Sequence, residues 1–220
     1  MKIVKYVNVG NITVEFQDEC KYITDTTYQN FIVGKINNPY DKRIHGVGYI
    51  GIGKYVTSLG NNTTPRGYEV WRDMLARCYL ESQRHKHLTY TECTVCEEWH
   101  CYQNFAKWYE ENYYVVDGER MHIDKDILFK DNKIYSPDTC MFIPQHINKL
   151  KNTDADIPNA IYRCVKGYKV AYGGKSLGVF KTLTDAIEAH DKAKRLHIKQ
   201  TAETYKTKIP LSVYQALLKW

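Results

Sequence analysis

The most restrictive pattern in the chain lies between residues 160 and 205. Three short runs, "AIYRCV", "YKVAYG" and "KSLGVF", follow one another with breaks at Lys166-Gly167 and Gly173-Gly174. Short runs rich in β-branched and aromatic residues read as strands, and glycine breaks this tight read as hairpin turns. The period then changes. In "TLTDAIEAHDKAKRLHIKQTAETY", Ala186, Ala189, Ala193 and Leu196 recur at steps of three and four, an apolar helical stripe with Thr182 or Thr184 as its N-cap. The pattern predicts a three-stranded antiparallel sheet packed on a helix. The closing "IPLSVYQALLKW" is apolar and is expected to pack back as a short helix.

The same region dominates the charge. Residues 160–220 carry 12 Lys and Arg against 4 Asp and Glu, a net of +8, whereas residues 1–159 carry 19 against 21, a net of −2. A basic block of this kind is the electrostatic footprint of a polyanion binder. No run approaches the ~18 apolar residues of a membrane span, so no membrane partner is expected. "MKIVKYVNVG" lacks the apolar core and cleavage site of a signal peptide. A cytoplasmic protein is therefore expected, and with it reduced thiols: the seven cysteines are odd in number and carry no sign of a disulfide frame.

Upstream, residues 1–60 read as a β-rich module. "NITVEF" (11–16) and "NFIVGKI" (30–36) are branched and aromatic runs bounded by Asn, Asp and Pro. "HGVGYIGIGKY" (45–55) spaces four glycines as a bulged strand or turn would. No helical pattern follows it, so a phosphate-cradling loop is not expected. In "PRGYEVWRDMLARCYLES" (65–82), Val70, Trp71, Met74, Leu75 and Cys78 fall at helical spacing. "QRHKH" (83–87) reads as a polar loop whose Arg84 and Lys86 are candidates for a DNA backbone, with His85 and His87 solvated. "LTYTECTVCEEWHCYQNFAKWYEENYY" (88–114) begins extended and becomes a second amphipathic helix with Phe105, Trp108 and Tyr109 on one face. "KNTDADIPN" (151–159) has the composition of a linker.

Between them lies "RMHIDKDILFKDNKIYSPDTCMFIPQHIN" (120–148), where His, Asp and Asn sit on or between short apolar runs. Alternation along a strand puts His122 and Asp124 on one face and Lys125 on the other. Nearby, Cys93-x-x-Cys96 with His100 and Cys101 invites a zinc reading. A structural zinc takes four ligands, usually as two separated pairs. One pair is evident, so buried thiols are expected and zinc is not.

Two resemblances join these observations. Through Tyr162-Arg163, Leu177-Gly178-x-Phe180, Thr182, Ala186 and Ala189, residues 158–204 resemble the ethylene-response-factor (Apetala-type) DNA-binding domain. The resemblance implies a sheet lying in the major groove of double-stranded DNA, which at about 12 Å wide admits a β-ribbon, with the helix behind. Its contact candidates are Arg163, Lys166, Tyr168, Lys169, Tyr172, Lys175 and Lys181. Arg163 is the expected base reader and the lysines the expected phosphate holders. The plant domains use more Arg and Trp on this sheet than the present chain does.

The 120–148 stretch resembles the hairpin of ββα-metal (His-Asn-His, HNH) nucleases. Residues 68–150 are similar to phage-encoded homing-endonuclease-like proteins through "YEVWRDMLARCY", "VCEEWHCYQNFAKWYEENY", "DKDIL", "NKIYSPDTCMFIP" and "IN". Many such proteins join this core to an Apetala-type unit. The resemblance implies a second strand in "TCMFIP" and a helix from near Gln145. It makes Asp124 and Asn148 ligands of one Mg²⁺ or Mn²⁺ ion and Asn132 the loop brace. In active members the general-base His directly follows the metal-binding Asp, and here that residue is Lys125. His122 is then the candidate base. Equally, Lys125 could neutralise a phosphate without a metal, or mark a site that has lost cleavage.

The sequence thus predicts an α+β protein of three units: a β-rich module (1–60), a helical core with an HNH-like hairpin (61–150) and an Apetala-type unit (158–220). The expected function is a phage-type HNH homing endonuclease that nicks or cleaves double-stranded DNA with a divalent metal, in the bacterial cytoplasm and without a small-molecule cofactor. The alternative is a catalytically degenerate DNA-binding protein that regulates, or interferes with host DNA transactions. An RNA binder is a weaker reading, because the tyrosines come with no RNA-recognition signature.

Overall fold

A computed structural model of the chain describes residues 1–86, 90–151 and 160–219. His87 and nearly all of the expected linker (152–159) lie outside the described residues. The fold is α+β, and the chain gathers into two compact units, Met1–Glu111 and Asn112–Trp220. This division is coarser than the three units expected. The hairpin stretch falls in the same unit as the basic C-terminal block.

The first unit opens with an antiparallel sheet, β1 (Lys2–Asn8), β2 (Asn11–Glu15) and β3 (Ile23–Thr26), in the order β1-β2-β3. Its central strand alternates, burying Ile12 and Val14 completely. The run at 30–36, expected as a strand, is a correction. Tyr28–Ile32 form helix α1, because the Thr27 side chain accepts a hydrogen bond from the Asn30 amide and so caps a helical turn. The helix stops before Gly34, which takes φ +68°.

Helix α2 (Arg66–Tyr79) buries Val70, Trp71, Met74, Leu75 and Cys78, the stripe read from the sequence. Helix α3 (Glu81–Lys86) occupies most of the expected polar loop. Strand β4 (Thr94–Val95) and a 3-10 turn (Glu97–His100) lead into α4 (Tyr102–Asn112). The aromatic faces interlock: Trp99 packs on Trp108 with ring centres 4.6 Å apart, and Trp71 donates its indole N–H to the Trp99 carbonyl at 2.7 Å. Gly48 belongs to this core, since a β-carbon there would stand 2.5 Å from the Leu75 side chain.

In the second unit, β5 (Met121–Asp124), β6 (Ile134–Tyr135) and β7 (Met141–Pro144) precede α5 (Gln145–Lys151). Strands β5 and β7 are antiparallel, with Met121 opposite Pro144 and Asp124 opposite Met141. Strands β8 (Ile161–Cys164), β9 (Gly167–Tyr172) and β10 (Lys175–Phe180) form a second antiparallel sheet with β9 in the centre. Helix α6 (Leu183–Tyr205) starts at Thr182, whose hydroxyl accepts the Asp185 amide at 3.1 Å, and packs along β9 and β10. Helix α7 (Leu211–Leu218) folds back on α6 through Val213, Ala216 and Leu217.

The α6 stripe differs from the one expected. Leu196 is 57% exposed, while Ala186, His190, Ile198, Thr201 and Ala202 are buried. A helix turns 100° per residue, so a line that steps by four from Ala186 through His190 to Ile198 and Ala202 drifts slowly around it. The first half of α6 therefore meets the sheet, and the line of burial moves with that drift along the second half.

Candidate nucleic-acid interface

Residues opposed across an antiparallel sheet share a face, and neighbours along a strand alternate. Val170, fully buried, stands opposite Ile161 and Gly178, which fixes the helix side of the sheet. Two residues either way, Tyr168 and Tyr172 share that side. Tyr172 is used there: its hydroxyl lies 3.1 Å from His197 Nδ1, and its ring packs edge-on against His190. Burial pushes its phenol pKa upward. Arg163 stands opposite Tyr168, so alternation puts it on the helix side as well, at the exposed end of an edge strand.

The opposite face carries Lys169 on the central strand, with Tyr162 and Val179 beside it in register. Lys169 is exposed, Tyr162 is 59% exposed and Val179 50%. Exposed lysines mark both ends of the sheet. Lys166 lies in the β8–β9 turn and Lys181 just after β10, while Lys175 begins β10 at the Gly173-Gly174 turn. The first two are brought to one end by the close approach of Gly167, at φ +128°, to the Phe180 carbonyl and the Lys181 backbone. The five steps of β9 separate the ends by roughly 17 Å.

Of the contact residues expected from the sequence, Lys169 thus lies on the open face, Lys166 and Lys181 lie at one end of the sheet, and Lys175, opposite Tyr172, starts from the helix side at the exposed other end. Tyr168, Tyr172 and Arg163 lie on the helix side. For Tyr172 this corrects the expectation, because its polar tip and ring are committed to α6. Tyr162 and Val179 were not among the contact candidates. Strict alternation from Lys169 would have found them once the register was known.

The hairpin gives each candidate residue a definite place. Asp124, only 7% exposed, accepts hydrogen bonds at Oδ1 from the amides of Asp126 (3.0 Å) and Ile127 (2.7 Å). Asn132 bridges the same loop: its side-chain amide donates to the carbonyls of Lys125 (2.8 Å) and Ile134 (2.7 Å). Lys125, also 7% exposed, aims its ammonium at Asp126 Oδ1 (2.6 Å) and the Asn132 carbonyl (2.7 Å). This corrects the expectation that Lys125 meets DNA. A buried ammonium held by a carboxylate and a carbonyl cannot leave them cheaply. His122 is half-buried opposite Ile143, and Asn148 is half-buried on α5.

A Mg²⁺ ion takes one or two carboxylate oxygens and keeps several of its waters. One oxygen of Asp124 is already engaged by two amides, and Asp126 is neutralised by Lys125. Among the described residues, no three His, Cys, Asp or Glu side chains come together in a way that could hold a metal. Cys78, Cys93, Cys101 and Cys140 are buried and Cys96 is half-buried. Burial raises the Cys96 thiol pKa and lowers that of His100, which keeps both neutral.

No protein-family model matches the chain, and no curated protein or solved structure matches it. Among the described residues, no helix is long and apolar enough to cross a membrane.

Proposed function

We propose that this protein binds double-stranded DNA through the open face of its C-terminal sheet, and that the hairpin serves as a rigid support instead of a metal centre. The observation that carries this reading is the sheet's asymmetry. One face is spent on α6, and the other presents Lys169 and Tyr162 to solvent, while exposed lysines stand at both ends of the sheet. A ribbon with cations roughly 17 Å apart can enter a groove about 12 Å wide and reach a phosphate line on each side. The exposed Lys166, Lys175 and Lys181 would hold phosphates, while Lys169 and Tyr162 would meet base edges. Such a protein would act by occupying DNA, as a regulator or an agent of interference does.

Fluorescence anisotropy on a labelled duplex over a salt series tests this. Three phosphate-neutralising lysines imply a slope of log affinity against log salt of roughly −3. A flat response would overturn the reading.

The endonuclease reading is kept as a second, favoured by one feature: β7 runs directly into α5, and His122 and Asp124 share one side of β5. Plasmid nicking with Mg²⁺ or Mn²⁺ decides it. Nicking by the wild type that disappears in Asp124→Asn would support cleavage. No nicking of DNA that is bound, or equal nicking by the variant, would exclude it.

A further inference from the structure

The second unit holds a groove that the DNA-binding reading does not use. It measures about 550 Å³ and lies between the loop after β5 and helices α6 and α7. Three cations line it, one from each element: Lys130 from the loop, Arg195 from α6 and Lys219 from the end of α7. No carboxylate lines it, and among the described residues none of the three cations forms an ion pair. The apolar part is provided by the half-buried Leu128, over the buried Ile127 and Ala216. Ser212 adds a hydroxyl.

Three cations facing one space without a counter-charge repel one another, and that repulsion is relieved when an anion enters. The apolar floor gives a flat, weakly polar group a place to lie. The volume falls within the range of small-molecule sites. Charge and shape together suit a nucleotide, with its phosphates on the cations and its base against Leu128. The open sheet face does not share this groove. His190 and His197 meet the sheet through Tyr172, whereas Arg195, at 100° per residue, points to the far side of α6.

We infer that this groove is a second, phosphate-binding site that takes a nucleotide, either free or as the end of a nucleic-acid strand. The inference stands independently of duplex binding by the sheet, and it adds a small-molecule ligand to a chain expected to need no small-molecule cofactor.

The test uses the full chain and three probes: ATP, pyrophosphate and a short labelled duplex, each titrated at low salt. The variants are Arg195→Ala, the triple Lys130→Ala, Arg195→Ala, Lys219→Ala, and Lys169→Ala on the sheet. The three groove cations are exposed, and circular dichroism checks that the variants keep their fold. ATP is expected to bind the wild type more tightly than pyrophosphate, because it adds the base. It is expected to weaken roughly fivefold or more with Arg195→Ala and at least about twentyfold with the triple variant. Lys169→Ala is expected to leave ATP binding intact. If the triple variant loses ATP and keeps the duplex, the ligand is a free nucleotide. If it loses both, the groove takes a strand. No binding of ATP or pyrophosphate to the wild type up to about 5 mM, or equal binding by the triple variant, would overturn the inference. Either of those results leaves duplex binding by the sheet standing.

Discussion

Asp124 is where the structural and catalytic readings of the hairpin part, and its replacement can be worked through. Its Oδ1 accepts two backbone amides, from Ile127 at 2.7 Å in a buried setting and from Asp126 at 3.0 Å in a half-buried one. Asp124→Ala leaves both donors without this acceptor. An unsatisfied buried amide costs about 1–3 kcal/mol, and the half-buried one costs less because water can reach it. The sum is about 2–4 kcal/mol. At roughly 4 °C per kcal/mol for a unit of this size, the thermal midpoint of that unit should fall by about 8 °C or more. Asp124→Asn keeps an oxygen in the same place and loses only the charge on it, so it should cost about 1 kcal/mol. Differential scanning calorimetry of the full chain reads both. The reasoning is refuted if Asp124→Ala melts within about 1 °C of the wild type, or if Asn is as damaging as Ala. The consequence is practical: loss of nicking in Asp124→Ala would not by itself reveal a metal ligand, whereas loss in Asp124→Asn would.

Two further outcomes follow from the second unit. Gly167→Ala should destabilise the sheet by more than about 2 kcal/mol, because at φ +128° its β-carbon would stand 2.1 Å from the Phe180 carbonyl oxygen; urea denaturation checks this, and duplex affinity should fall with it. Tyr205 donates a hydrogen bond to Glu119, which with partial burial pushes its phenol up to about 12. A folded pKa above the unfolded value near 10 stabilises the neutral form. That contribution is complete below pH about 10 and is lost as pH rises toward 12. Tyr205→Phe should therefore lose less stability than the wild type over that window, and equal slopes in paired urea titrations would contradict the assignment.

Much of the fold was legible because periodicity carries it. Val70, Trp71, Met74, Leu75 and Cys78 could be read as one buried stripe since helical spacing needs no partner to be visible. The three C-terminal strands and the Thr182 cap were equally local. What failed was whatever depended on competition or on register. The 30–36 run has β-type composition, but the Thr27 hydroxyl captures an amide and turns the chain helical first. Lys125 reads as a free cation until the loop closes and brings Asp126 and the Asn132 carbonyl to it. Tyr172 looked like a groove contact because composition does not say which face alternation assigns it. The cationic groove was invisible, since Lys130, Arg195 and Lys219 lie on three separate elements and form no motif.

Lys169 bears most directly on the claim that the open sheet face grips duplex DNA, because the open face can be compared with the covered one in the same sheet. Duplex affinity should be measured by anisotropy for Lys169→Ala, Tyr162→Ala and, as the helix-side control, Tyr172→Phe. The expected result is a loss of roughly tenfold for Lys169→Ala with the salt slope nearly unchanged, as for a base contact, a smaller loss for Tyr162→Ala, and little change for Tyr172→Phe. Wild-type affinity in Lys169→Ala together with a loss in Tyr172→Phe would contradict it.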